Sequence, residues 1–358
     1  MKSVSLLFGG GKASNTHVLF SSIGIFLLSF VLLLAPQAAE ATFSQTVPVT
    51  ECTRQPAGTI VAYDSSGRRS IFPVAGYGRL VSLLNDTTKN RIVICGGVWD
   101  ITNYSTIDRA LIGNVSISGE PVQGRLPVFI GTNSQNAPYF RLTATERAGD
   151  IAVQNLIFRI QSDFNQGVFL FENNYPETKI QLKLNTVLLH ESNALALAQV
   201  NGFWKKMIFS NIMVDGDVEN RIVFDTDIGL DDTQIIIRDS DINDTTKTTA
   251  LLKARERIEP DRYCPCGDRT YTYKIGIQNT RMSGLQKIAD LTENRLGLAS
   301  KLTIHFQDIQ LQNMHSVWTD RTYQTQILAG DAEDFTRMGQ HVAQFETLRN
   351  FHRVMETK

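Results

Sequence analysis

The sequence predicts an all-β chain wound as a solenoid, a parallel β-helix. One observation is compositional. From about residue 91 to 311 short runs such as Arg91-Ile92-Val93-Ile94, Pro127-Val128-Phe129-Ile130, Ile151-Ala152-Val153 and Ile235-Ile236-Ile237 are broken by Gly, Asn and Asp. This is the pattern of strands and turns, with no helices alternating between them. The second observation is a repeat. A polar residue is followed three positions later by an apolar one at Asn114/Ile117, Asn155/Phe158, Asn185/Leu188, Asn211/Val214, Asp239/Ile242, Asn279/Met282 and Asp308/Leu311. Successive spacings are 41, 30, 26, 28, 40 and 29 residues, a period typical of solenoids. Two residues before the polar position stand Ile112, Val153, Lys183, Phe209, Ile237, Ile277 and Phe306, apolar in six cases of seven.

The repeat has a physical reading. Coils stack about 4.8 Å apart and their strands hydrogen-bond into long parallel sheets. A corner between strands needs a residue tolerant of left-handed backbone angles, which suits Asn. Stacked Asn amides also hydrogen-bond along the column, and the apolar residue at +3 points inward.

The elements follow in chain order. Lys2 and Lys12 precede the uncharged run 18–34, then Pro36 and Ala39-Glu40-Ala41, the order of a secretory signal peptide over residues 1–41. The alternative is an uncleaved anchor, but a run of that length spans roughly 25 Å, which barely crosses a bilayer. No later segment approaches membrane-spanning length, so the mature chain is expected to be exported without a transmembrane span. Residues 42–90 are expected to cap the first coil, and 91–325 to form the β-helix. From Ala332 onwards Phe335, Met338, Val342, Phe345, Leu348 and Phe351 form one helical stripe. An amphipathic helix within 326–358 is thus expected to cover the open end, with oligomerisation as a second use.

All four cysteines lie beyond the leader. Export favours disulfides, and Cys52 with Cys95 is the natural pair. Cys264-Pro265-Cys266 reads as a local bridge or as cross-paired with the other two, with metal binding behind.

Composition narrows the partners. The 358 residues carry 35 Lys+Arg against 36 Asp+Glu, a formal net charge of −1, with 42% apolar residues. Disorder is excluded, and nucleic acid is not an expected partner because no bulk positive charge attracts it.

The stretch Arg91-Ile92-Val93-Ile94-Cys95-Gly96-Gly97-Val98-Trp99, with Asn114-Val115-Ser116-Ile117-Ser118-Gly119-Glu120 and later Ile151 to Phe158, resembles the right-handed parallel β-helix superfamily of pectate lyases, pectin methylesterases and polygalacturonases. The resemblance covers about two-thirds of the chain. It implies a right-handed β-helix with an N-terminal cap and a C-terminal helix, and it points to carbohydrate or cell-surface glycan as partner. None of that superfamily's catalytic motifs is present in full: Asp225-Thr226-Asp227 and Asp231-Asp232 occur without the Gly-His-Gly and Arg-Ile-Lys of polygalacturonases.

The segment Asp225-Thr226-Asp227-Ile228-Gly229-Leu230-Asp231-Asp232 also matches the calcium motif of nucleoside hydrolases, a remote alternative because a strand rather than a helix follows. Ten carboxylates fall between Asp215 and Asp244, opposed by Arg221 and Arg238. Such crowding solvates a face, holds Ca²⁺ or shares protons. Asp225, Asp227, Asp231 and Asp232 are therefore the candidate calcium ligands. Asp227, Asp232 and His190 are the candidate acid–base residues. The long 40-residue spacing after Asp239 marks a loop carrying Arg255, Arg257 and Arg262, the candidate substrate-binding cations, and Trp204 is a stacking ring or a core residue. The function expected is polysaccharide binding or processing along the solenoid face, by a lyase or glycoside hydrolase if catalytic. The alternative is a non-catalytic adhesin or surface-structural protein.

Overall fold

The computed structural model describes residues 51–102, 106–133, 137–162, 167–215, 219–220, 222–230, 232–243, 250–256, 272–290, 301–312, 318–319 and 327–329. The leader, the Cys264–Cys266 segment, Arg257, Arg262, Asp231 and the C-terminal amphipathic stripe lie outside the described residues. From Lys89 onwards the described strand pairings between coils are parallel. The chain is a parallel β-solenoid.

Each coil has three sides. Sheet 1 begins with Lys89–Cys95 and continues through 115–118, 151–154, 181–185, 206–210, Thr233–Arg238, Thr272–Gln278, Lys301–Gln307 and Ile327–Ala329. Sheet 2 runs from Val98–Asp100 through Val128–Asn133, 157–162, 187–190, 212–215, Asp241–Asn243 and Arg281–Ser283 to Gln310–Gln312. Sheet 3 runs from 107–111 through 140–143, Phe169–Asn173, Ala198–Gly202, Ile222–Ile228, Ala250–Glu256 and Lys287–Asp290 to Trp318–Thr319.

Strand alternation fills the coil. In Thr233–Arg238 alternate residues are buried, so Ile235 and Ile237 point inward while Gln234 and Ile236 face out. Successive coils put like on like. Ile92, Ile117, Val153, Leu184, Phe209, Ile237, Ile277 and Phe306 form one in-register column, all buried. Each such side chain contributes about 1.5–3 kcal/mol of burial. Rings also stack in the core, as Phe129 on Phe158 at 5.1 Å and Phe209 of the column on Phe224 at 4.1 Å.

From Asn155 onwards the corner from sheet 1 to sheet 2 is a single left-handed residue. Asn155, Asn211, Asp239, Asn279 and Asp308 occupy it with φ of 59°, 52°, 53°, 42° and 50°. Two expected members of the column are displaced. The third member is Thr186 (φ 54°), not Asn185. Gly119, the residue after the Ser118–Gln154 pair, stands beneath Asn155, and Asn114 is exposed within a strand. An added Cβ on Gly119 would lie 2.0 Å from the Asn155 carbonyl oxygen, so the corner backbone approaches too closely for a side chain. With both slips corrected, the position two residues before the corner becomes Ile117 and Leu184 instead of Ile112 and Lys183, and the whole column is apolar. The column amides do bond between coils, Asn211 donating to Asn185 Oδ1 and Asn279 to Asp239 Oδ1, each at 2.8 Å. These bonds lie at the surface rather than in the interior.

The first coil is covered by an antiparallel unit. Thr59–Asp64 pairs with Arg69–Phe72 and with Lys89–Cys95, and helix α1 (Tyr77–Asn85) buries Tyr77, Leu80, Leu83 and Leu84 in the solenoid core. The Cys52–Cys95 disulfide is present and joins the N-terminal segment to the first strand of sheet 1. Arg109 points inward with no exposed surface, a position no sequence pattern had marked. Its guanidinium donates to the carbonyls of Leu84 at 2.7 Å, Asp86 at 3.0 Å and Lys89, closing the end of α1. Burial pulls its pKa down to about 10.

Candidate functional site

Among the described residues, the carboxylates of the acidic run fall on different sheets. One coil's worth of chain passes around all three sides, so its carboxylates disperse. Asp225 and Asp227 lie on outward positions of sheet 3, Asp232 stands just before a sheet 1 strand, Asp239 is a corner and Asp241 belongs to sheet 2. Asp215 and Asp241 share sheet 2. Asp241 is in register with Met213, two residues before Asp215 on the preceding coil.

Asp225 and Asp227 are largely buried, and their register partners in the next coil are Lys253 and Arg255. Asp232 is held between Lys205 at 3.3 Å and Lys274 at 3.4 Å, from the preceding and following coils. Hydrogen bonds from Lys205 and Lys274, helped by their charge, lower its pKa below the usual 3.8. Calcium takes six to eight oxygen ligands. Among the described residues no three His, Cys, Asp or Glu side chains come together as a metal site. Trp204 is a core residue: it is fully buried, packs against Phe171 at 6.4 Å and donates its indole N–H to the Asn201 carbonyl at 2.8 Å. It offers no ring face to a ligand. Arg255 lies in the sheet 3 strand Ala250–Glu256, and residues 257–271 connect that strand with sheet 1.

The structure instead presents a groove along the corner between sheets 1 and 2. It has a volume of about 750 Å³ and runs parallel to the solenoid axis across successive coils. Its outer wall is one register row of sheet 2, Ile157, Leu188, Met213, Asp241, Arg281 and Gln310. Five coil steps make that row about 24 Å long. Its other edge is the corner column Thr186, Asn211, Asp239, Asn279 and Asp308. One end of the groove is therefore apolar, and Met213 leaves 45% of its surface exposed there. The other end is polar. Arg281 meets Asp241 at 3.7 Å, while Asp239 meets Arg238 at 3.8 Å and accepts the Asn279 amide.

His190 stands on the same sheet, one outward row further from the corner. Its Nδ1 lies 3.6 Å from Asp215 Oδ2 and its Nε2 lies 3.6 Å from Glu191 Oε2. Arg159, the residue after Phe158 (which pairs with Leu189), stands one coil before His190. The three candidate acid–base residues thus lie apart, His190 on sheet 2, Asp227 on sheet 3 and Asp232 at the start of a sheet 1 strand. The groove has a sequence signal of its own, because every wall residue sits two positions after a corner, a position distinct from the −2 and +3 sites of the apolar repeat.

No protein-family model matches the chain, and no curated protein matches it. Among solved structures it is similar to the catalytic domain of a GH87 alpha-1,3-glucanase in complex with tetrasaccharides, at 11% identity and a TM-score of 0.20. That likeness covers 71% of this chain, which spans 66% of the glucanase domain's length. It carries no function across, and the fold rests on the parallel register described above.

Proposed function

We propose that the protein is exported and binds a polysaccharide along the groove between sheets 1 and 2. The observation carrying this reading is the form of the groove, which is about 750 Å³, elongated along the axis and graded from apolar to polar. An extended chain of sugar rings presents both C–H faces and hydroxyl edges. Ile157, Leu188 and Met213 suit the first, and Asn279, Arg281 and Gln310 suit the second. Export is supported by the leader-like order of residues 1–41 and by the Cys52–Cys95 disulfide. Among the described residues no helix is long and apolar enough to cross a membrane.

Processing of the bound chain would fall to His190 with Asp215 and Glu191, because a proton donor and acceptors share one place there, beside the groove. Asp232 is unsuited to donating a proton near neutral pH, since its two lysine partners favour the carboxylate.

The test is glycan-array binding of the purified protein, with mass spectrometry of each bound glycan after incubation. Binding that is lost in Met213→Asp and Arg281→Ala supports the reading. Binding unchanged by both substitutions places the glycan elsewhere and overturns it. Cleavage abolished by His190→Ala, with binding kept, assigns processing to that cluster. Binding without any product is the outcome of a non-catalytic adhesin.

A further inference from the structure

The outer wall of the groove continues beyond the groove itself. Ile157 is in register with Val128 on the preceding coil, and Val128 with Val98 on the first coil. Leu126 borders both the groove and a second cavity of about 420 Å³, which Val98 and Val128 line together with Gln55 and Gln123. Val98 leaves 67% of its surface exposed there. From Val98 to Gln310 the row therefore carries one outward side chain per coil, with no register shift between neighbours. Seven coil steps make it about 34 Å long. Its members from Val98 to Met213 are all apolar.

We propose that the whole row is one binding track for an extended polysaccharide ribbon, with one pyranose ring over each coil, and that it takes equatorially 1,4-linked chains and rejects axially linked ones. This rests on the glycan-binding reading above and names the substrate class of that site. In an equatorial 1,4 linkage both exocyclic bonds point along the chain. Successive rings then keep to a line and advance by roughly one coil spacing. Each ring lays its C–H face on one side chain of the apolar stretch, while Gln55 and Gln123 at one end and Asn279 and Gln310 at the other meet hydroxyl edges. An axial bond turns the chain at every ring, so its rings leave a straight row after a few contacts. Glucose chains in the two linkages differ in shape but not in charge or composition, so shape alone does the selecting.

The experiment measures binding of the full-length purified protein to oligomers of two to eight rings by titration calorimetry. The probes are β-1,4-linked oligomers of glucose, mannose and N-acetylglucosamine, with α-1,4-linked glucose oligomers as the bent counterpart. In at least one β-1,4 series affinity is expected to rise with length and to be rising still from six rings to eight. The α-1,4 octamer is expected to bind the protein roughly tenfold or more weakly than the best β-1,4 octamer, because a bent chain keeps fewer ring contacts. Val98→Asp, or the milder Val98→Ala, removes the gain from six rings to eight and leaves Tm unchanged, since that side chain is exposed. Affinity that levels off at three or four rings, an α-1,4 octamer that binds as tightly, array binding confined to other linkages, or a six-to-eight gain that survives both Val98 substitutions would each overturn the proposal while leaving glycan binding standing. Failure of every probe and of the wider array sinks the groove reading, and this proposal with it.

Discussion

Changing Leu184 and Lys183 separately tests the coil register. The repeat read from sequence placed Asn185 at the corner, which would turn Lys183 toward the column position and Leu184 away from it. In the structure Thr186 is the corner, and Leu184 is fully buried between Val153 and Phe209 of the neighbouring coils. Lys183 is exposed and faces outward beside Ala152 and Ile208. Leu184→Ala removes three carbons from a close-packed column that cannot collapse without shifting two sheets, so it costs about 3–5 kcal/mol. Lys183→Ala changes stability by about 0.5 kcal/mol or less, because it removes only solvated side chain. Thr186→Asn adds roughly 1 kcal/mol, since a β-branched residue is strained at φ of 54° and Asn is not. Urea unfolding followed by circular dichroism, with m-values compared between variants, reads all three. A loss in Lys183→Ala equal to that in Leu184→Ala would refute the register and return the corner to Asn185.

Three further outcomes follow from the capping unit and the lysine-held carboxylate. Arg109→Ala leaves three carbonyls without their donor and is expected to cost about 3 kcal/mol in the same urea assay, water entering the vacated space offsetting part of the loss. Reduction of Cys52–Cys95, or Cys95→Ser, lowers stability by about 2–4 kcal/mol through the 43-residue loop it closes, read as a drop in Tm under reducing conditions. Asp232 has a folded pKa below its ordinary 3.8, so its contribution is complete above that value and is lost as pH falls through the folded pKa. The stability difference between wild type and Asp232→Asn, measured from pH 6 to pH 2, should therefore shrink toward zero on acidification, and a constant difference would contradict the lysine pairing.

Much of the scaffold was legible because it is local. Strand runs, the corner preference for Asn or Asp, and the apolar residue two before the corner each need only a few neighbouring residues. Where the reading slipped, a local signal disagreed, namely the single charged residue, Lys183, in an otherwise apolar set. The corner itself hid the slip, because Thr186 takes the left-handed angle that Asn and Asp take in other coils, while Gly119 stands where no side chain fits. Gly removes the side chain altogether, and Thr is held at left-handed φ by a coil packed on either side. The Cys52–Cys95 pair was named as the natural one, and the structure decided it against cross-pairing of these two with Cys264 and Cys266.

The site was illegible for a geometric reason. A run of acidic residues in sequence follows the coil around three sheets, so Asp225, Asp232 and Asp241 end on different sides of the solenoid. Residues that share a surface instead come one from each coil, from Ile157 to Gln310 along the groove. Arg109 was hidden likewise, because its partners are backbone carbonyls of the cap, which carry no sequence identity.

The amino-acid sequence by itself determined the strand period, the turn chemistry and the winding into stacked parallel coils. The tertiary structure alone decided which residue turns each corner, which carboxylates meet lysines, and which six positions from six coils line one groove. The physical reason is that hydrogen-bond register between coils is set by packing summed over the whole stack. A one-residue slip, invisible in any single repeat, moves every side chain of that strand to the other face.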